Sequence, residues 1–261
     1  MTSINLENQL RDRLLVGETG LPERPLATSV DHTVETGPLS EDAESPELCK
    51  FERWRRLLNV MVALAGVILT APLMAVIAVA VKLSSKGPVL YKQTRIGLDR
   101  RVAGTGLNNG RRQADGGGRP FTMYKFRTMA QDEGDTAQVW ASPDDPRVTP
   151  TGRILRTYRL DELPQFINVL RGDMNIVGPR PEQMGLFKRL RRRIDGYQMR
   201  QQVLPGITGW AQINASYDAS VEDVRRKLAL DLEYLRRRSA REDFRIMIKT
   251  LPVMLSRRGA W

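Results

Sequence analysis

The run LLNVMVALAGVILTAPLMAVIAVAV, residues 57 to 81, contains 25 residues and no charged side chain. At a rise of about 1.5 Å per residue, a helix of this length crosses a hydrocarbon core of about 30 Å. The alternative is a buried core helix of a soluble protein, and such helices are seldom this long without a charge. The run therefore predicts a helix that enters a membrane.

Pro72 interrupts this run after fifteen residues. Proline removes a backbone donor and clashes with the preceding turn, so we expect a kink or a break there, with the freed backbone groups satisfied inside the protein or by a side chain such as Thr70. Basic residues flank both ends of the run: Arg53, Arg55 and Arg56 before it, and Lys82, Lys86, Lys92 and Arg95 after it. Because positively charged flanks stay cytoplasmic, this pattern favours a helix-break-helix that enters and leaves on the same side. A kinked full span is the alternative.

Charge is distributed unevenly along the chain. Residues 1–50 hold 10 acidic and 4 basic side chains, a net charge of −6, and the remaining 211 residues hold 37 basic and 20 acidic ones, a net charge of +17. A positive surface points to nucleic acid, anionic lipid headgroups or phosphorylated small molecules. Only 6% of the residues are aromatic and none lies in the Arg-rich stretch 99–119, so surfaces on which bases could stack are scarce. We therefore expect no nucleic-acid partner.

Rare residue types exclude several chemistries. The one histidine, His32, and the one cysteine, Cys49, both lie in the acidic leader. Zinc clusters, internal disulfides, serine or cysteine nucleophiles paired with histidine, and histidine general bases are therefore not expected. Any chemistry must rest on carboxylates, arginines, lysines or a metal held by oxygen ligands.

Composition divides the chain into three parts. The leader, 1–50, mixes Pro, Gly, Ser, Thr and acidic residues without periodicity, and we expect it to be disordered. A membrane segment at 51–86 precedes a domain at 87–261, which contains a flexible Gly- and Arg-rich loop at 99–119. Strand-like runs at 89–93 and 120–126 and helical periodicity at 163–170, 182–200, 221–238 and 242–255 predict an α+β, mainly helical fold.

Several of these helices combine an apolar stripe with many arginines, as in LFKRLRRRI at 186–194. This pattern suits amphipathic helices that lie in a membrane interface next to anionic lipid. The solvated basic face of a globular helix is the alternative.

The densest cluster of chemistry-bearing residues is TGRILRTYRLDELPQFINVLRGDMNIVGPRP, residues 151–181. Asp161 and Glu162 precede an apolar-periodic run that has Pro164 in its first turn and Gly172 just past its end, so they fall at a helix N-terminus. Taken alone, Asp161 is most simply a helix cap. Four arginines surround this pair in sequence: Arg153, Arg156, Arg159 and Arg180. Carboxylates, guanidinium groups and a helix N-terminus would together hold phosphates, with a divalent cation between carboxylate and phosphate. With no histidine available, a carboxylate nucleophile attacking phosphorus is reasonable.

The chain resembles the bacterial sugar transferase family, the monotopic polyprenyl-phosphate phosphoglycosyl transferases, over residues 51–258. Besides the basic-apolar-proline segment, the resemblance rests on six motifs in order: KLSSKGPVLYKQTRIG (82–97), KFRTM (125–129), DPRVTPTGRILR (145–156), LDELPQFINVLRGDMNIVGPRP (160–181), PGITGWAQIN (205–214) and KLALDLEYL (227–235).

The resemblance implies a two-step transfer of a sugar 1-phosphate from a UDP-sugar to undecaprenyl phosphate, with release of UMP. Asp161 would attack the β-phosphate and carry the phosphosugar covalently, and Glu162 would serve as its acid/base partner or orient it. Mg²⁺ would bind near Asp161 and the diphosphate. The remaining substrate-binding positions implied by the resemblance are Arg156, Lys125 and the turn Pro179, Arg180 and Pro181.

The resemblance also implies a single re-entrant membrane helix with its break at Pro72, on the cytoplasmic face of the bacterial inner membrane. The product would pass to downstream glycosyltransferases that build an exopolysaccharide, capsule or O-antigen-type glycan. The sequence does not identify the sugar, and it leaves the oligomeric state open, a homodimer included. Asp231, Tyr234 and Asp243 also match family positions, and we expect them to pair with arginines. Arg159 departs from the small hydroxyl residue common at that position in the family.

Overall fold

The computed structural model describes residues 46–99, 117–130, 145–215 and 221–255. Most of the predicted disordered leader and of the predicted loop 99–119 therefore lies outside the described residues. In chain order the elements are α1 (Pro46–Ser84), β1 (Leu90–Ile96), β2 (Pro120–Phe126), α2 (Pro150–Thr157), α3 (Gln165–Arg171), β3 (Asn175–Val177), α4 (Met184–Arg193), β4 (Gly206–Thr208), α5 (Trp210–Asn214), α6 (Val221–Arg237) and α7 (Ala240–Leu255). Two 3-10 turns, Leu160–Glu162 and Tyr197–Gln202, stand between these elements.

The apolar run forms one helix, α1, of 39 residues. Its section Phe51–Ser84 is long and apolar enough to cross a membrane, and only 11% of its most apolar window is buried against the rest of the chain. Leu69 and Leu83 are 79% and 82% exposed. A core helix would bury such side chains, so α1 does not fit that alternative and instead suggests association with a membrane.

Pro72 lies inside α1, and the helix continues through it. The described chain therefore has no interruption at the predicted break, and the re-entrant path stays a prediction. Thr70 does not compensate for the missing donor, because its hydroxyl donates to the carbonyl of Gly66 (2.6 Å), whereas the carbonyl that loses the proline donor belongs to Ile68. Such back-bonding by threonine favours a bend in the same turn.

Both ends of the apolar part of α1 are tied to the domain by hydrogen bonds from arginines to backbone carbonyls. Arg56 donates to the last carbonyls of α3 at 2.7 and 3.0 Å. Arg127, just past β2, donates to the carbonyls of Val81 (3.2 Å) and Ser85 (2.6 Å) at the carboxyl end of α1. These carbonyls lie at or near helix carboxyl ends, where backbone acceptors have spare capacity and partial negative charge, and the guanidinium groups bind them.

The middle of α1 also packs closely on α3. A Cβ at Gly66 would lie 2.8 Å from the ring of Phe166, so the glycine permits this approach. Ala63 is fully buried in the main apolar cluster with Val169 and Met174. Part of the membrane helix therefore belongs to the hydrophobic core of the domain.

Two small sheets position the remaining elements. β1 and β2 form an antiparallel pair in the register Leu90↔Phe126 to Ile96↔Pro120. β3 and β4 are parallel, and the backbone following β3 extends along β1 through an isolated bridge between Arg95 and Gln183. The turn at 178–181 is thereby placed between the two sheets.

Every predicted element is present, but several differ in extent. The strand predicted at 89–93 continues to Ile96 in β1. The helix predicted at 182–200 is wrong in extent: α4 ends at Arg193, and Gly196, with φ of 72°, begins a separate 3-10 turn. The helix predicted at 163–170 begins later, at Gln165, and its predicted end at Gly172 is confirmed by a φ of 85°. Neither α2 nor the pair β3 and β4 was expected from the periodicity.

Candidate active site

Asp161 and Glu162 lie in the 3-10 turn Leu160–Glu162, one turn before α3, and both are buried. Arg159 begins this turn at φ 54° and ψ 23°, and its carbonyl accepts from the backbone of Glu162 at 3.2 Å. A non-glycine residue in the left-handed region is strained by about 1 kcal/mol or more. The strained backbone turns the two carboxylates inward rather than onto the N-terminus of α3.

Glu162 is held between two cations. Arg180 Nη2 lies 2.7 Å from Glu162 Oε1, and Lys125 Nζ lies 3.4 Å from the same oxygen. Although burial raises the pKa of Glu162, Arg180 and Lys125 outweigh burial and hold that pKa well below its usual value. Burial lowers the pKa of Lys125. Glu162 is therefore an ionised carboxylate with fixed partners.

Asp161 is the opposite case. It is 8% exposed, yet its carboxylate accepts no hydrogen bond and forms no ion pair within the described residues, and its oxygens still reach solvent. Burial, and then the charge of Glu162, raises the pKa of Asp161 to about 6, although Lys125, Arg156 and Arg180 act to lower it. The predicted cap role of Asp161 is wrong, because α3 begins after Pro164 without a side-chain cap.

Arg156 is positioned by α2. Thr149 caps this helix through its hydroxyl, which accepts from the backbone of Gly152 at 2.9 Å. A Cβ at Gly152 would lie 2.0 Å from the carbonyl of Thr128, so only glycine lets α2 approach the segment after β2. Arg156 Nε then donates to the hydroxyl of Thr128 at 2.9 Å. Its electrostatic interaction with Asp161 opposes the effect of burial, which lowers the pKa of Arg156.

The turn that carries Arg180 is fixed by its backbone. Pro179 and Pro181 restrict φ on either side of it, and the carbonyl of Pro179 accepts from Gly206 at 2.9 Å. The carbonyl of Arg180 accepts from Arg200 Nη2 at 3.1 Å. The charge of Glu162 raises the pKa of Arg180 above its usual value.

Arg95 reaches the same turn and was not expected from the sequence as a site residue. Its Nη1 donates to the carbonyl of Pro181 at 3.2 Å. The charge of Arg95 interacts with those of Arg180, Glu182 and Glu162. The signal was present in the motif KQTRIG, where Arg95 reads equally well as a basic flank of the membrane helix.

The predicted pairing of Asp231, Tyr234 and Asp243 with arginines is confirmed. Arg200 Nη2 lies 2.8 Å from Asp231, and its Nη1 lies 3.0 Å from Glu182. Tyr234 and Asp243 both bind Arg55, which joins α6 and α7 to the start of α1.

Carboxylates for a metal are few. Within the described ranges, no group of three or more His, Cys, Asp and Glu side chains could enclose an ion. Glu162 is already neutralised, which leaves Asp161 as the carboxylate open to a cation. The donor set does not fit an all-protein cage but fits Mg²⁺, which prefers one or two carboxylates together with water and substrate phosphate oxygens.

The site thus unites a carboxylate pair in which one member is unengaged with cations on four separate segments, on a domain built around a membrane-type helix. The chain matches the model of the bacterial sugar transferase family over residues 51–257, and it belongs to that family.

Named relatives include transferases for different sugars. The chain is 41% identical over 199 residues to a UDP-glucose:undecaprenyl-phosphate glucose-1-phosphate transferase of Escherichia coli, covering 76% of this chain and 39% of the relative. A protein of the same name from Caulobacter vibrioides is 38% identical over 253 residues, covering 92% and 87%. A UDP-N-acetylgalactosamine-undecaprenyl-phosphate N-acetylgalactosaminephosphotransferase of Aeromonas hydrophila is 38% identical over 206 residues, covering 79% and 44%. The chain therefore spans less than half the length of two of these relatives.

Proposed function

We propose that the chain is a phosphoglycosyl transferase that moves a sugar 1-phosphate from a UDP-sugar to undecaprenyl phosphate and releases UMP. The carrying observation is the asymmetry of the carboxylate pair: Glu162 is bound by two cations, and Asp161, buried beside it, has no partner among the described residues. The names of the relatives support the two substrates. The sugar itself is left open, since those names include both glucose and N-acetylgalactosamine.

In the first step, an oxygen of Asp161 attacks the β-phosphorus of the UDP-sugar. A bond forms between this oxygen and phosphorus, the bond to the bridging oxygen breaks, and UMP leaves with the electron pair. The reaction needs an ionised Asp161, and a pKa of about 6 leaves most of the carboxylate ionised at pH 7 while keeping it basic enough to attack. The absence of hydrogen bonds to Asp161 means that none must be broken first.

In the second step, a phosphate oxygen of undecaprenyl phosphate attacks the same phosphorus, and Asp161 leaves as a carboxylate. The acceptor oxygen is already deprotonated, so this step requires no general base. Of the two roles expected for Glu162, the ion pairs with Arg180 and Lys125 favour orientation and charge balance over proton transfer. Arg156 and Arg180 would stabilise the charge that develops on the transferred phosphate.

Mg²⁺ would be held by Asp161 and by the substrate phosphates, and when bound it would withdraw charge from the diphosphate. The chain's own cations would also hold the diphosphate. Lys125 and Arg180, which bind Glu162, and Arg156 on α2 would supply the positive charge for it.

We further propose that the domain lies on the cytoplasmic face of the bacterial inner membrane, with α1 re-entrant and α7 in the interface with anionic lipid. On α7, Phe244, Ile248 and Leu251 are 58%, 52% and 62% exposed, at the spacing of one helix face. Basic side chains accompany them: Arg241, Arg245 and Lys249. In this position the enzyme would begin an exopolysaccharide, capsule or O-antigen-type glycan, which downstream glycosyltransferases would extend.

Membranes or detergent-purified protein supplied with undecaprenyl phosphate, Mg²⁺ and a series of UDP-sugars test this proposal. We expect UMP release with one or a few sugars, and a mass increase of Asp161 by the phosphosugar when the lipid is omitted. Intact-protein and peptide mass spectrometry detect the adduct.

Asp161→Asn should abolish both UMP release and the adduct, whereas Asp195→Asn, at an exposed carboxylate outside the site, should change neither. Retained UMP release by Asp161→Asn would contradict the assigned nucleophile. The absence of UMP release by the wild-type protein with every UDP-sugar would contradict the function itself.

A further inference from the structure

We propose that Arg95 binds a substrate phosphate and, together with Arg180, forms a second anion-binding position where β1 meets the turn 178–181. This inference rests on the proposed function and adds to it a residue that contacts the substrate. The ligand class is a phosphate monoester or a diphosphate. Both substrates of the proposed reaction carry such a group.

The backbone brings Arg95 to the site. The end of β1 pairs with the segment after the turn, because Ile96 donates to the carbonyl of Glu182 at 2.9 Å and Arg95 forms a bridge with Gln183. The guanidinium of Arg95 reaches back along this pairing to the carbonyl of Pro181 at 3.2 Å. It therefore contacts the residue that directly follows Arg180.

The partners of this guanidinium are neutral. Besides the Pro181 carbonyl, Arg95 donates from Nε (3.1 Å) and Nη2 (2.7 Å) to the same oxygen of Gln93. A guanidinium has five N–H donors, so these three bonds leave two of them for a ligand. Within the described residues, Arg95 forms no ion pair.

Five other buried or half-buried arginines in the described chain are compensated. Arg55, Arg180 and Arg200 each have a carboxylate oxygen at 2.7 to 3.0 Å. Arg56 and Arg127 bind carbonyls at the carboxyl ends of helices, which carry partial negative charge.

Arg95 has neither kind of compensation. Burial, and then the proximity of Arg180, lowers the pKa of Arg95 to about 10. Glu182 and Glu162 oppose this shift without bonding to Arg95. A bound anion would relieve the unfavourable balance, because it would place an opposite charge directly on a half-buried cation that has no ion pair.

The charge of the whole site agrees with this assignment. Four cations surround the two carboxylates Asp161 and Glu162, a surplus of two positive charges with both acids ionised: Arg95, Lys125, Arg156 and Arg180. The adjoining cluster of Arg200 with Glu182 and Asp231 adds one cation and two carboxylates, which still leaves a surplus of one. Glu162 takes up the charge of Lys125 and Arg180 in part, whereas Arg95 and Arg156 have no bonded carboxylate. A diphosphate, or the phosphate of a lipid acceptor, would supply the missing negative charge.

Inorganic pyrophosphate tests the site without reference to catalysis. We compare wild type, Arg95→Gln, Arg95→Lys and Lys92→Gln, the last of which removes an exposed charge from the same strand. Affinity is measured in EDTA from the rise in melting temperature with pyrophosphate concentration. Arg95→Gln should bind pyrophosphate about tenfold or more weakly, Arg95→Lys should recover part of the affinity, and Lys92→Gln should match the wild type.

Half-reaction kinetics then distinguish the two sources of phosphate. If Arg95 holds the donor, Arg95→Gln lowers the second-order rate constant for the single-turnover release of UMP, measured without lipid, by about tenfold. If it holds the acceptor, UMP release is unchanged and KM for undecaprenyl phosphate rises by about tenfold. A wild-type protein without UMP release would remove the proposed function, and the difference in pyrophosphate affinity would still stand.

Two results would overturn the proposal. One is an Arg95→Gln variant with wild-type pyrophosphate affinity and wild-type kinetics in both half-reactions. The other is an Arg95→Lys variant as impaired as Arg95→Gln, with both melting below the wild type in the absence of ligand, because this would assign Arg95 to the structure of the turn alone.

Discussion

Two buried acidic side chains, Asp243 and Asp161, show how differently one fold treats a carboxylate. Asp243 is 3% exposed, and both of its oxygens accept hydrogen bonds: Oδ2 from Arg55 at 2.8 and 3.0 Å, and Oδ1 from Tyr234 at 2.7 Å. Asp161 is 8% exposed and accepts none within the described chain. The cluster of Asp243 with Arg55 and Tyr234 joins three helices, whereas the carboxylate of Asp161 forms no bond that would stabilise the fold.

The comparison shows that completeness of bonding, rather than burial, separates the structural carboxylate Asp243 from Asp161, the proposed nucleophile. A buried charge without hydrogen bonds destabilises the folded state, and sequence variation would be expected to remove it unless it has another use. Asp161 also lies in the turn that begins at the strained residue Arg159. The strain and the missing bonds both point to catalysis rather than to stability.

The largest expected effect is a separation of activity from stability at Asp161. Asp161→Asn should lower the rate of UMP release by about 10³-fold or more, because an amide is not a nucleophile towards phosphorus. The same change should raise the free energy of unfolding at pH 7.5 by about 1 to 3 kcal/mol, because it removes a charge whose pKa is raised by burial. Differential scanning fluorimetry in detergent measures the second effect, and a lower melting temperature would contradict it.

The pH dependence of this stability gain has a defined sign. Since the pKa of folded Asp161, about 6, lies above its usual value, the folded state binds the proton more tightly than the unfolded state. The contribution of Asp161 to stability is therefore intact at about pH 4 and is lost as the pH rises to about 6. Glu162, whose pKa is lowered, acts with the opposite sign, so the difference between wild type and Asp161→Asn isolates Asp161. A difference that does not change with pH would refute this account.

The next largest expected effect is the loss of stability when the fully bonded cluster of Arg55, Tyr234 and Asp243 is broken. Arg55→Met should lower the free energy of unfolding by about 3 to 5 kcal/mol, because Asp243 keeps a buried charge without its cation. Adding Asp243→Asn should recover part of the loss, and the double-mutant cycle should yield a coupling of about 1 to 3 kcal/mol. The protein that remains folded should lose UMP release at low pH in the same range as the wild type, because Arg55 lies outside the site of Asp161. Additive effects of the two changes would mean that the pair is not coupled.

The smallest expected effect is a shift in the pH profile of UMP release. Activity should fall about tenfold per unit below an apparent pKa of about 6, since protonated Asp161 cannot attack. Arg180 lowers the pKa of Asp161, so Arg180→Ala should move this limb to higher pH in addition to slowing the reaction. The profile of kcat/KM for the UDP-sugar measures both. If Arg180→Ala instead moved the acid side of the profile to lower pH, Arg180 would raise the pKa of Asp161 rather than lower it, and the prediction would be wrong.

The sequence predicts the elements that have strong local patterns and misses short elements and pairings between distant segments. The apolar helix and the strand 120–126 follow from local patterns that are strong by themselves. Hydrophobic periodicity does not predict helix α2, PTGRILRT, because the helix is short and has only two apolar residues. β3 and β4 are three residues each, and their parallel pairing joins segments about thirty residues apart, which periodicity does not reveal.

The sequence predicts which residues form the site, but it does not predict that Glu162 is ion-paired while Asp161 is not. The family resemblance implies that Asp161, Glu162, Arg180 and Lys125 share one site, and the contacts of Glu162 with Arg180 and Lys125 agree with it. Which carboxylate is bonded and which is not depends on distances across four segments. For the same reason Arg95 was missed, because its position near Arg180 arises from a backbone bridge between β1 and residue 183.

The hydrogen bonds by which Arg56 and Arg127 hold α1 against the domain have a consequence for work with this protein. Because Arg56 and Arg127 tie both ends of α1 to the domain, and Ala63 and Gly66 are part of its packing, the helix is an internal component of the folding unit. Cutting it away to obtain a water-soluble catalytic fragment should yield an insoluble chain. Substituting an unrelated membrane anchor should fail as well, since a generic span lacks the small residues on which Phe166 rests. Purification strategies should therefore keep α1 and choose the detergent or nanodisc around it.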